Sequence, residues 1–162
     1  MITIYLDMDG VLANFNKEYL KYDSEKNDRE KFRDVVLIHR IFENLDLMPD
    51  AHELLNHVAK LKDIDIQILT STGTNRTVQK QAAIEQKLNW LNKMNIPYHA
   101  NFSMSKAEKA AWATPTSILI DDSPGCVAPF IEAGGHAILH KKSSETIRIL
   151  DSYIKNLNVA YA

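Results

Sequence analysis

The chain has 162 residues, 45% of them hydrophobic and 25% charged, with a formal net charge of -2 and a pI near 6.3. That length suits one domain with a real core, and so nearly neutral a chain argues against a broad surface for polymeric nucleic acid or for a membrane. A single cysteine, Cys126, excludes an internal disulfide framework and a cysteine zinc cluster.

Ile2 to Leu6 reads as a buried strand, and it ends in Asp7-Met8-Asp9-Gly10. From Asn14 to Met48 there is no second strand. An interval of that length needs structure of its own. Its Tyr22–Glu30 part is highly charged, and Lys31–Leu45 has the apolar spacing of an amphipathic helix. We expect a small helical cap over residues 14–48, placed above the strand ends, with 1–13 and 49–162 forming the core domain. A second strand, Ile64–Leu69, ends in Thr70 and Ser71, with Thr72 and Gly73 behind them. Val78–Met94 follows with Ile84, Leu88 and Leu91 on one helical face. Pro97–Phe102 is a weaker strand. Next comes SMSKAEKAAW, where Ser105 and Glu108 suit the capping of a helix that starts near Lys106. Ser117–Ile120 is a strand that ends in Asp121-Asp122, and Ser123-Pro124 then supplies a cap residue with proline at the first helical position. Gly134-Gly135 close that helix before a last strand, His136–Leu139.

Strands that alternate with helices define an α/β fold, a Rossmann-like parallel sheet flanked by helices, with the cap inserted after the first strand. Ligands of such sheets bind at the carboxyl ends of the strands. In a parallel sheet Asp7, Asp9, Thr70, Ser71, Asp121 and Asp122 therefore share one rim. Each has a plain structural role when taken alone, as turn former or helix cap. Together they make a crowd of carboxylates that would raise one another's pKa without a cation. A hard oxygen-seeking ion such as Mg2+ fits, whereas no Cys/His spacing supports zinc. A carboxylate beside Mg2+ can attack phosphorus and form an aspartyl-phosphate. A second acid can protonate the leaving oxygen and later activate water, hydroxyls can hold phosphoryl oxygens, and a lysine can offset the charge.

Asp7-Met8-Asp9-Gly10-Val11, then Thr70, Lys106 and Asp121-Asp122, resemble the four ordered motifs of the haloacid dehalogenase-like hydrolases. DMDGVLANF, IFENLDLMPDA, ILTST, LIDDSP and EAGGHAILH are similar to the 5'(3')-deoxyribonucleotidase family of the cytosolic and mitochondrial type. The resemblance implies Asp7 as nucleophile and Asp9 as general acid/base. Mg2+ would be held by the Asp7 side chain, the Asp9 backbone carbonyl and Asp122, with Asp121 as the supporting neighbour, although sequence separates those last two poorly. Thr70 and Ser71 would hold phosphate, and Lys106 would be the motif lysine. Phe15 and, in the cap, Phe42 would face the base. Ala13-Asn14-Phe15 stands where the family has Ala-Asp-Phe, one aromatic occupies the Ile41-Phe42 site, and Gly73–Thr77 are additional, which leaves base and sugar preference open. A homodimer follows by analogy only.

The expected function is thus a Mg2+-dependent phosphomonoesterase acting on a small-molecule nucleotide. The alternatives are the same mechanism on a sugar phosphate or nucleic-acid end phosphate, and a non-catalytic phosphate-binding or receiver-type domain. The N-terminus lacks a basic region followed by an apolar one, and no apolar run approaches membrane length, so the chain reads as cytoplasmic. Lys87, flanked by Glu85 and Gln86, reads as a solvated helix residue, and Cys126 as a small buried one.

Overall fold

The computed structural model describes residues 1–22 and 25–161; Asp23 and Ser24, in the charged part of the insertion, and Ala162 lie outside the described residues. The five apolar runs all form strands: β1 (Ile2–Leu6), β2 (Ile64–Ser71), β3 (Ala100–Ser103), β4 (Ser117–Asp121) and β5 (His136–Leu139). They lie in one sheet of order β3-β2-β1-β4-β5, and every pairing is parallel. The weak Pro97–Phe102 signal corresponds to β3, shifted toward Ser103 and placed at the sheet edge.

Alternation along the strands sends side chains to two faces. Ile4, Leu6, Ile68, Ile118 and Ile138 belong to the larger apolar cluster. Against it lie α3 (Ala51–Ala59), α4 (Thr77–Lys93) and α6 (Ser143–Ala160), through residues such as Leu54, Trp90 and Leu150. Tyr5, Leu69, Leu119 and Ala137 face the other way, toward Cys126 and Phe130 of α5 (Pro124–Glu132) and Trp112 of a 3₁₀ helix, Ala107–Trp112. The sheet is therefore covered on both sides, as a parallel sheet requires.

The insertion after β1 contains α1 (Phe15–Tyr19), α2 (Asp28–Leu37) and a 3₁₀ turn, Ile41–Glu43. The amphipathic pattern of Lys31–Leu45 is thus divided rather than continuous. α2 stops at Leu37, and Arg40 takes a left-handed φ of 49° that no continuing helix tolerates. The two ends of the insertion meet, with Ala13 bridged to Leu47 and Met48 N donating to Leu12 O at 2.7 Å. Its far side is fastened to α4. Gln86 accepts from Phe42 N at 3.3 Å and donates to Val36 O at 2.8 Å, and Trp90 Nε1 donates to Leu45 O at 2.9 Å. These bonds satisfy main-chain groups that would otherwise be buried alone. Val35, Ile41 and Phe42 of the insertion pack into the same cluster as the sheet.

Candidate active site

β1 delivers Asp7 and Asp9 to the rim of the sheet, and β4 delivers Asp121 and Asp122 beside them. Asp7, Asp121 and Asp122 each offer a carboxylate oxygen, and these atoms lie within 4.8 Å of one another. Gly10 permits that approach. Its φ is +89°, and a Cβ there would stand 2.0 Å from Asp122 Oδ2, so any side chain would be strained and would displace the Asp122 carboxylate.

The lysine expected at Lys106 is found three residues later. Lys109 Nζ donates to Asp7 Oδ1 at 2.9 Å and to Asp121 Oδ2 at 2.7 Å, and Lys109 is 1% exposed. Lys106 borders the same cavity but is exposed. Residues three apart share a face of a 3₁₀ helix, so the sequence pattern suits either lysine, and the one deeper along the turn reaches the carboxylates. Ser105 and Glu108 both serve main-chain donors at the start of this turn: Glu108 N donates to Ser105 Oγ at 3.3 Å and Met104 N to Glu108 Oε2 at 2.8 Å.

A second buried lysine overturns the reading of Lys87 as a surface residue. Its side chain is 0% exposed. Its ammonium donates to Asp9 Oδ2 at 3.0 Å, Thr70 Oγ1 at 2.6 Å and Ser71 O at 3.0 Å. It also stands 4.5 Å from the centre of the Phe42 ring. All three N–H groups are accounted for. Thr70 is correspondingly not a wall of the cavity. It points with Ile68 to the α4 side of the sheet, is wholly buried, and serves Lys87, while Ser71, one residue on, lines the cavity.

Electrostatics match this geometry. Burial raises the Asp7 carboxyl above its ordinary value, opposed by Lys109 and reinforced by Asp121. Burial also raises Asp9, against the pull of Lys87. Asp122 is pushed up to about 7, first by burial and then by Asp7 and Asp121. Burial works against the charge of Lys109, but Asp7 and Asp121 outweigh it and hold the ammonium above its ordinary range. Two lysines thus leave the acids short of positive charge. Asp121 spends both oxygens on protein donors, Lys109 Nζ and Ser123 N. Asp122 accepts from no other residue among those described. An oxygen-seeking divalent cation fits this donor set, with Asp122 and the second oxygen of Asp7 facing it and Asp121 behind them. The Asp9 side chain stands outside the cluster, and its Oδ1 is buried without a partner.

The cavity over these groups measures about 650 Å³, within the range of small-molecule sites. Phe15, Phe32, Phe42 and Met48 line its cap side. Phe15 stacks on Phe42 at 5.5 Å and 20°; Phe42 is only 2% exposed and backs the wall, while Phe15 stays partly open to the cavity. Phe32 went unnoticed in the sequence. It rests on Gly73, where φ is +75° and a Cβ would lie 2.9 Å from its ring. Cys126 also borders the cavity, and burial pushes its thiol up to about 12, so it stays protonated.

Solved structures with the same fold include a hydrolase from Streptococcus pneumoniae TIGR4 (TM-score 0.58, 14% identity, covering 92% of this chain and 97% of that one). A haloacid dehalogenase-like family hydrolase from Xanthomonas campestris gives a TM-score of 0.57 at 12% identity, covering 94% and 91% of the two chains. A Bacillus subtilis protein assigned as a HAD-hydrolase, solved bound to magnesium, gives 0.53 at 11% identity, covering 93% and 98%. The chain therefore has the α/β fold of the haloacid dehalogenase-like hydrolases. No protein-family model and no curated protein matches its sequence. No helix among the described residues is long and apolar enough to cross a membrane.

Proposed function

We propose that this protein is a Mg2+-dependent phosphomonoesterase that acts on deoxyribonucleoside monophosphates. The observation that carries the reading is the joining, in one cavity, of a carboxylate cluster at the strand ends with a wall of phenylalanines from the cap. A phosphate can sit on the first and a planar base on the second.

In this reading Asp7 is the nucleophile. Its carboxylate oxygen attacks phosphorus, the bond from phosphorus to the leaving oxygen breaks, and an aspartyl-phosphate forms. Asp9 supplies the proton that the leaving oxygen needs, then takes one from the water that attacks the phosphoenzyme and frees Asp7. Lys87 fixes the Asp9 carboxyl group through Oδ2. Burial favours the protonated form of Asp9, which suits the first of these transfers. Lys109 holds Asp7 in place and balances its charge. Mg2+, held by Asp7, Asp122 and the Asp9 carbonyl with Asp121 in support, would neutralise the phosphoryl oxygens and polarise phosphorus. Ser71 and the Thr72-Gly73 turn border the space for those oxygens.

The test is a phosphate-release screen with Mg2+ over deoxy- and ribonucleoside monophosphates, sugar phosphates and phosphorylated DNA ends. Deoxynucleotides turned over best are the expected result. Good turnover of sugar phosphates with none of nucleotides would overturn the substrate reading and leave the mechanism in place.

A further inference from the structure

Lys106 has no role in the reaction just described, because Lys109 occupies the place beside Asp7. Its ammonium makes no hydrogen bond and no ion pair among the described residues, although it borders the cavity. The other two lysines of the site are committed, Lys109 to Asp7 and Asp121 and Lys87 to Asp9. Lys106 is thus the one uncommitted cation on this cavity wall among the described residues.

Its position is informative. The segment after β3 crosses the strand ends and packs on α5, and the Lys106 stem passes 3.7 Å from where a side chain at Gly125 would begin. The hydroxyl of Ser123 lies 3.5 Å from that same point, and Ser105 and Ser123 both line the cavity with the lysine. This is the side of the sheet covered by α5 and the 3₁₀ helix. Phe15, Phe32 and Phe42 belong to the opposite side, with α4. The row of carboxylates lies between them.

We propose that Lys106, with the hydroxyls of Ser105 and Ser123, binds a second anionic group on the substrate's leaving part, so that the preferred substrate is a nucleotide carrying a further phosphate. The inference rests on the phosphomonoesterase reading and deepens it. The reacting phosphoryl group lies on the carboxylates, the base on the phenylalanine side, and the second anion on the lysine side. An exposed ammonium on a cavity wall that also carries hydroxyl donors can give charge-assisted hydrogen bonds to such a group.

The experiment compares a deoxynucleoside bisphosphate, phosphorylated on both sugar hydroxyls, with the corresponding monophosphate. It uses wild type, Lys106→Ala and Lys106→Arg, and reads the ratio of their kcat/KM values. A ratio of about tenfold in wild type, the size expected of one charged hydrogen bond, should be lost in Lys106→Ala and kept in Lys106→Arg. A wild-type ratio near one would overturn the proposal. So would a ratio that Lys106→Ala leaves unchanged, including the case where both substrates slow equally, which would place Lys106 on the transferred phosphoryl group. Phenyl phosphate and its carboxylated analogue are run in parallel. If no nucleotide is hydrolysed but these esters are, the nucleotide reading fails, and the same ratio between the two esters decides the role of Lys106.

Discussion

Lys87, on α4, donates a 3.0 Å hydrogen bond to Asp9, at the end of β1. That contact ties the helix that carries the cap to the acid proposed for proton transfer. Lys87→Met removes the ammonium and leaves Asp9, Thr70 and the Ser71 carbonyl without their donor. Because Asp9 reaches the cavity, the stability cost falls below that of a fully buried pair and is on the order of 2 kcal/mol. Turnover should fall with it. Chemical denaturation and steady-state kinetics check both, and a change within the range of a surface lysine would contradict the buried pairing.

Gly10→Ala places a methyl group where the Asp122 carboxylate lies, at a backbone φ of +89°. The backbone alone costs about 1–2 kcal/mol. Displacement of Asp122 should weaken Mg2+ binding in addition, seen as a rise in the Mg2+ concentration needed for half-maximal turnover.

At the cap, Phe15→Ala removes the ring that is open to the cavity. Stacking of a base on an aromatic ring contributes about 1–3 kcal/mol. KM for deoxynucleotides should therefore rise roughly tenfold relative to KM for phosphate esters without an aromatic group. An equal change for both classes would mean that the ring is packing only.

Glu43 gives the pH dependence of the cap. Hydrogen bonds from Arg40, then from Asn89, hold its carboxyl down at about 2, below the ordinary 4.5. A depressed folded-state pKa means that the unfolded chain binds the proton first, so this stabilisation is complete above the ordinary value and is lost as pH falls toward the folded one. In thermal melts the difference between wild type and Glu43→Gln should be constant near neutrality and shrink from about pH 4.5 to about 2. A difference that grew on acidification would reverse the assignment.

Much of this was legible in the sequence. Short apolar runs alternating with helical segments read as strands of a parallel sheet, and the strand ends gather Asp7, Asp9, Ser71, Asp121 and Asp122 at one cavity. The lysines were not legible for reasons of register. Lys106 and Lys109 are equivalent along a 3₁₀ turn, and only the packing of that turn on α5 selects Lys109. Lys87 sits between Glu85 and Gln86, a polar run that mimics a solvated face; yet Gln86 is itself buried, bonded to the cap main chain. Nothing local tells a helix face that meets water from one that meets an insertion 44 to 50 positions earlier in the sequence. Thr70 differs from Ser71 only by strand alternation, which sends the first to Lys87 and the second to the cavity. Asp121 and Asp122 separate once hydrogen bonds are seen, since one is saturated by Lys109 and Ser123 and the other is free.

The central claim is that Asp7 takes up the phosphoryl group with Mg2+ beside it. Phosphate release from deoxynucleoside monophosphates, measured for wild type and Asp7→Asn with Mg2+ and again with EDTA, tests it most directly. Release by wild type with Mg2+ only, and none by an Asp7→Asn variant whose circular dichroism matches wild type, is the expected result. Undiminished release by Asp7→Asn, or release indifferent to EDTA, would contradict it.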